Sequence, residues 1–532
     1  MLSLPSQLPR KIYLAGLAIV AIGMPVSVFL MSIGQFIVLA GILLDGHYSE
    51  RIERFWKNKM AVLVSSVLLF HLLGLFYTTD FDYGLKDIRI KAPLFLLPLF
   101  VASSEPLSKK SFNWLLAVFV GAVTVGTWIS MGVYYGLIPT RHPVVDTRGI
   151  SIFISHIRFS MMIAFSVFIS AYYFYHETFV LKKIVYASVI IWLIVFLIIL
   201  NALTGIMTFV AVIFILMLYG IFTLKSSVLR ISSLLSFLVL ITGLFFYVRT
   251  LLKEADFDQV VTVPVDLSKL ESRTALGNPY VNDTLNAATE NGNRLWIYVC
   301  EPELRQAWNE RSAVDFEGRN KKGDFVKYTL IRYLASKGLR KDAAAVQSLS
   351  KEEIKSIEKG VGNVNYIGKP RLTVRLMETF WEFKGYLMGA SPNGHSTVMR
   401  LEFWRAALGI IQAHPILGVG TGDVKDAFDR QYQQINSSLD LPHRLRSHNQ
   451  FLSITVAFGF IGLLWFLTAL IYPMVKMKKI FDYFYAVFFI IFFLSLFMED
   501  TLESQAGVTF YAFFNAILLF ARPSSGPQLR QD

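Results

Sequence analysis

Apolar runs that return at short intervals constrain this chain more than any other feature. They lie at about 12–24, 27–44, 59–77, 88–104, 112–138, 152–175, 181–200, 202–222 and 229–250, and after a long polar stretch at about 449–473, 480–498 and 507–522. Most are near the roughly 20 residues a helix needs to cross a bilayer. Backbone in hydrocarbon must satisfy its own hydrogen bonds, which helices do within one segment. The fold class that follows is an all-α polytopic membrane protein with about twelve transmembrane helices. Composition agrees, since 54% hydrophobic and only 17% charged residues is too apolar for a soluble protein. The first two runs are short and break at Met24-Pro25, giving a hairpin that tilt or bilayer thinning must accommodate. Arg10-Lys11 before an apolar run has the outline of a signal peptide, but no small-residue cleavage motif is obvious and apolar sequence continues to Leu44. These runs are therefore read as retained spans.

The formal charge of +13 would suggest nucleic acid in a soluble protein. Here much of it sits in short loops: Arg10-Lys11, the HYSERIERFWKNK segment, Lys109-Lys110, Lys182-Lys183, Lys225 with Arg230, and Lys476, Lys478 and Lys479. The intervening loops, TTDFDYG, PTRHPVVDTRG and EDTLESQAG, carry acid or mixed charge. By the positive-inside rule this places both termini in the cytoplasm of a multi-pass membrane protein, with the mixed loops on the external face. The implied partner is the lipid bilayer, with no nucleic acid. The single cysteine, Cys300, excludes an internal disulfide and a cysteine-ligated zinc site.

Five segments follow: an N-terminal transmembrane bundle of about nine helices over 1–250, an external insert over 251–398, an amphipathic helix and loop over 399–447, about three C-terminal spans over 448–523, and a cytoplasmic tail over 524–532. Between Lys253 and Met399 there are 21 basic and 19 acidic residues, so the insert is near neutral and reads as a folded domain. FDQVVTVPVDLSKL has the alternation of a strand or extended linker. Helices are predicted at Leu295–Trp308 and Phe325–Lys337, and another is opened by Ser350-Lys351-Glu352-Glu353 with capping-box spacing.

Candidate chemistry gathers at the mouths of spans. On a helical wheel Glu402, Arg405, Gly409 and Gln412 share one face of the helix after Met399, whereas Arg400 falls with Trp404, Leu408 and Ile411. An arginine on a greasy face is costly unless an anion meets it; the competing reading is that it reaches water from a fraying first turn. Arg158, six residues into a span that starts near Ile152, lies roughly 9 Å below its outer end. It marks a functional site, or else snorkels or pairs with a carboxylate such as Asp87. Lys86, Arg89 and Lys91 are further candidates for the same anion, with an i,i+4 Asp87–Lys91 pair as the alternative. His448 is matched to taking a proton near neutral pH; it could equally be a helix-start residue with Ser447 as the cap. Asn449 follows it. Glu499, Asp500 and Glu503 form a polar loop able to orient an imidazole. Gly418-Val419-Gly420-Thr421-Gly422 has the look of a phosphate loop but lacks the βαβ context, so a flexible turn after Pro415 is expected. The pairs Asp80/Asp82 and Asp256/Asp258 could hold a divalent ion, although such pairs are common in solvated loops.

The run RLEFWRAALGIIQAHPILGVGTGD from Arg400, a polar gap, then SHNQFL and AFGFIG resembles the signature of the O-antigen ligase and O-antigen polymerase superfamily. The resemblance extends to SHIRFS and the twelve-span layout. Within the insert NRLW and KYTLIRYLASKGLRKDAAAVQSLSKEEIKSIEKG resemble the long periplasmic loop of O-antigen ligase-like proteins of Bacteroidota. It implies a GT-C-like glycosyltransferase that moves a glycan from undecaprenyl diphosphate to an acceptor hydroxyl, on lipid A-core in the ligases. Such enzymes are inverting and metal-independent, with no cofactor. By motif, His448 would be the base, and Arg400 with Arg158 would hold the diphosphate, supported by Arg89, Lys91, Asn449 and Arg405. Many members have Ser-Arg where this chain has Leu203-Thr204-Gly205, so Arg158 or Arg89 would take that role. A polymerase using the same donor, or a polysaccharide-lipid transporter, are the alternatives.

Overall fold

A computed structural model describes residues 7–140, 147–254, 270–286 and 288–522. Outside that range lie most of the PTRHPVVDTRG loop, the FDQVVTVPVDLSKL stretch apart from its last residue, the Asp256/Asp258 pair and the tail over 524–532. The described chain is mostly helical, and its one sheet pairs Thr289–Glu290 with Asn293–Arg294. It is thus an all-α polytopic membrane protein. Among the described residues eight helices are long and apolar enough to cross a membrane, or nine if Lys59–Ser65 and Val67–Tyr77, bent by 40°, count as one span. The expectation of about twelve exceeds this count because three of the apolar runs fold as shorter helices. Tyr483–Met498 and Gln505–Ala521 stay under 18 residues. The run at 88–104 is interrupted by Pro93, so that Phe81–Lys91 ends and Pro93–Ala102 begins separately; proline lacks the N–H a continuing helix needs.

The chain divides into two compact units. The first comprises 1–217, 403–437 and 444–532, and the second 218–402 with 438–443. Within the second unit helix Ser227–Glu254 buries Leu251 with Tyr366 and Met377, and Tyr247 shares a 2.9 Å hydrogen bond with Thr373.

In the first unit an aromatic core forms where Phe119, Phe165, Phe488, Phe510 and Phe514 pack edge to face, with ring centroids 4.7–6.3 Å apart. Three of the basic side chains counted above converge on one connection. Arg10 donates to Glu105 O and Pro106 O, Arg54 to Ser103 O and Arg51 to Ser104 Oγ. Their loops thus share one end of the bundle.

The second unit has its own core around Trp308, Phe316, Leu330, Tyr333, Leu334 and Ile357. Helix Lys351–Glu358 starts with the expected capping box, and Val326–Ser336 falls within the predicted span. The helix predicted from Leu295 begins only at Glu301. Upstream, Val299 exchanges backbone bonds with Val281, Cys300 N–H donates to Lys341 O, and Tyr298 is left-handed. Extended pairing overrides the helical pattern there. Helices Arg371–Leu387 and Ser396–Ala413 complete the path back to the first unit.

Candidate active site

Helix Gln450–Lys476 is broken at Gly459, whose φ of 62° is left-handed. The preceding loop fills the break. Phe460 N–H donates to Pro415 O, Val419 N–H to Val456 O and Gly420 N–H to Ala457 O, at 2.8–2.9 Å. A Cβ at Gly459 would stand 2.1 Å from Ile416 O, so only glycine permits this approach. The GVGTGD run is therefore a packing device. Thr421 Oγ1 donates to His71 O, and Asp423 accepts from the N–H groups of Thr79 and Asp80 and from the hydroxyls of Thr78 and Thr79. Burial would push the Asp423 carboxyl up, but these donors outweigh it and hold it below the usual range. Asp80 caps helix Phe81–Lys91 by accepting from Tyr83 N–H, so that half of the first acidic pair serves the backbone.

The start of the same span carries the polar cluster. Asn449 is its cap, accepting from Leu452 N–H through Oδ1 and donating to Phe497 O, in place of Ser447. Ser447 is buried instead, bonded to Asn449 O and Ser453, and its carbonyl accepts from the Trp404 indole. His448 between them is held at φ 46°, a conformation disfavoured for a non-glycine residue and worth a functional look. Its ring packs on Phe403 at 5.5 Å. Nδ1 is buried and lies 3.5 Å from Glu499 Oε2 and 3.6 Å from Asp500 Oδ1, beyond a normal hydrogen bond. The side chain is still 29% exposed, at atoms other than Nδ1.

The carboxylate loop is braced from beneath. Glu503 accepts from Lys91 at 2.7 Å, Arg446 at 2.9 Å and Gln450 at 3.1 Å, and Lys91 also grips Asp87 at 2.7 Å. Gln450 closes the brace by accepting from Leu502 N–H. Burial raises the Glu503 carboxyl, but the charges of Lys91 and Arg446 dominate and hold it well below the usual range. For Asp500 burial wins over the charges of His448 and Arg446, and its carboxyl lies above the ordinary aspartate value.

Of the residues singled out from sequence, His448 meets the expected acidic loop, and Asn449 bonds Phe497 O at the end of the helix before it. Lys91, expected as an anion contact, has its ammonium bonded to Asp87 and Glu503, which realises the i,i+4 pair weighed as the alternative. Arg89 and Lys86 are exposed on the same helix. Arg158 is half-buried on helix His156–His176 with no hydrogen-bond partner at Nε, and it makes no bond to the His448 cluster among the described residues. Arg400 lies on Ser396–Ala413 within the second unit, and Arg405, exposed, on the part of that helix in the first. On that helix Glu402 is buried and accepts from Tyr386 O–H at 2.7 Å, whereas Leu408 is 51% exposed. Sequence reasoning passed over Arg446 and Gln450. Their signal was position, two residues either side of His448, which forces both toward whatever faces the imidazole.

Chemically, an imidazole backed by carboxylates suits proton transfer. The ligand atoms of His448, Glu499 and Asp500 lie within 4.8 Å of one another, so the same trio could also hold a divalent ion.

The fold and this cluster define a multi-pass helical membrane protein with a histidine–carboxylate site at the mouth of a broken span. Residues 352–467 match the family model described as O-Antigen ligase, and this stretch is what supports a likeness to the O-antigen ligase superfamily, whose members act as ligases or polymerases. The match begins in the second half of the insert and ends within the broken span. No curated protein matches the sequence.

Proposed function

We propose that the protein is a glycosyltransferase that moves a glycan from undecaprenyl diphosphate to an acceptor hydroxyl, with His448 as the general base. The observation that carries this reading is the strained His448, its Nδ1 turned toward Glu499 and Asp500 and its side chain partly exposed at other atoms. With the proton on Nδ1, Nε2 is free to take the acceptor hydroxyl's proton. The acceptor oxygen then bonds the anomeric carbon as the bond to the diphosphate breaks on the opposite face, inverting the centre. The carboxylates stabilise the imidazolium that forms, in the way an aspartate supports a catalytic histidine. A diphosphate leaves well when fixed positive charge meets the growing negative charge, and Arg158 and Arg400 are the cations we assign to it. The acceptor is a lipid A-core-type glycolipid for a ligase or a second lipid-linked repeat for a polymerase.

The test supplies purified protein in lipid with an undecaprenyl-diphosphate glycan and each acceptor, and reads the product by mass. His448→Ala should abolish transfer while inserting normally; transfer at the wild-type rate by that variant removes the histidine from the mechanism. The proximity of three ligating groups favours one second reading, a metal-assisted transfer, and loss of activity in chelator with recovery on adding a divalent ion would select it.

A further inference from the structure

Within the second unit a second cleft, remote in sequence from His448, carries polar groups that the transfer reaction does not use. Glu382, on helix Arg371–Leu387, has a side chain only 9% exposed. Its Oε1 accepts from Arg375 at 3.3 Å and lies 3.5 Å from His395 Nδ1, but Oε2 is buried with no hydrogen-bond partner. Leaving such an oxygen unpaired is costly. Beside it, the Trp381 indole N–H is fixed on Thr289 O at 2.7 Å, and the Arg332 guanidinium lies 4.1 Å from the ring centroid. Trp381, Glu382, Gly385, Met388, Ser391 and His395 line a cleft of about 370 Å³, counting the part open to solvent.

The chemistry of the lining selects a ligand class. The missing partner of Oε2 is a hydrogen-bond donor. A cationic donor would enter beside Arg375 and Arg332, whose charges already oppose it. An anion would meet the carboxylate itself. A neutral hydroxyl satisfies the oxygen without either conflict, and the Trp381 ring with Met388 offers apolar surface to the C–H face of a sugar ring. The last torsion of a glutamate is soft, so Oε2 can turn to the cleft when a donor arrives. We propose that this cleft is a saccharide subsite in which Glu382 accepts from pyranose hydroxyls and Trp381 and Met388 contact the ring. The proposal goes beyond the transfer reading and does not depend on His448.

The experiment is saturation-transfer difference NMR on the full chain in lipid nanodiscs, with the methyl α- and β-pyranosides of glucose, galactose, mannose and N-acetylglucosamine as probes. At least one should receive saturation on its ring protons, and Glu382→Gln should cut the signal at least fivefold. Gly385→Leu is the second variant. A Cβ at Gly385 meets only Ala390 Cβ, at an ordinary 3.5 Å, so the larger side chain fills the cleft and leaves the Glu382 ion pairs in place. It should cut the signal equally with an unchanged melting temperature. No saturation of any probe by the wild type, or an undiminished signal in Gly385→Leu, overturns the subsite.

Discussion

His448 keeps Nδ1 3.5 Å from Glu499 Oε2, and the left-handed backbone at 448 holds it there. A contact of that length orients a ring without binding it tightly, which suits a base whose charge changes during turnover. Replacing the neighbouring Asp500 by Asn should therefore lower kcat by about tenfold or more and leave the donor KM nearly unchanged. Burial raises the Asp500 carboxyl, so the wild type loses this negative charge at a higher pH than an exposed aspartate would. The acid limb of the rate profile should move to lower pH in Asp500→Asn, because the imidazolium is then less stabilised. Rates measured between pH 5 and 8 for both proteins check this.

Lys91 and Glu503 predict stability. Their side chains are 3% and 8% exposed, so removing one leaves a buried charge without its counterion. Lys91→Met should cost about 3–5 kcal/mol, read as a lower melting temperature of purified protein. The sign of the pH effect follows from Glu503, whose folded-state carboxyl is held below its unfolded value. Its contribution is complete above the ordinary glutamate pKa of about 4.3 and is lost as pH falls toward the depressed folded value. Melting temperature should accordingly hold from pH 7 to about 5 and decline below about 4.

How much of this was legible in the sequence depends on the range of the interaction involved. The apolar runs read correctly as helices because crossing a bilayer is a constraint on one segment. The capping box at Ser350 is likewise local. The burial of Glu402 and the exposure of Leu408 were not legible, because a helical wheel separates faces but does not say which face meets protein. Lys91 was half legible: its i,i+4 partner Asp87 is visible in sequence, whereas Glu503, more than four hundred residues on, is joined only by the fold. The GVGTGD run resembled a phosphate loop because both uses need glycine, and only the break at Gly459 shows what these glycines admit.

That break gives a third prediction. Gly459→Ala would combine a disfavoured φ with a Cβ 2.1 Å from backbone oxygen, which a side-chain shift cannot relieve. A loss of about 3 kcal/mol or more is expected, with the Gly418 loop displaced. Gly220, in helix Leu203–Thr223 with open space around it, supplies the contrast. Gly220→Ala should be neutral or stabilising by up to about 1 kcal/mol through helix propensity. Melting temperatures of the two variants in the same detergent compare them directly.

Arg158 poses the sharpest choice between structure and function. It is half-buried on a span, and its Nε lacks a partner, so on stability grounds the residue is a cost. Arg158→Met should leave the melting temperature unchanged or raise it. If the guanidinium grips the diphosphate, the same variant should lose transfer by about 100-fold, the scale set by removing one donor from a site of developing charge. Arg158→Lys discriminates further, because it keeps the charge but loses the planar fork that matches phosphate oxygens; it should recover only part of the rate, with a raised donor KM. Lys425→Met, which removes an exposed cation paired with Asp429, should stay within twofold of wild type and exclude a general effect of lost charge. A stabilised Arg158→Met protein that still transfers at full rate would mean that this arginine only reaches for the membrane surface, and the clamp would then need a cation other than Arg158.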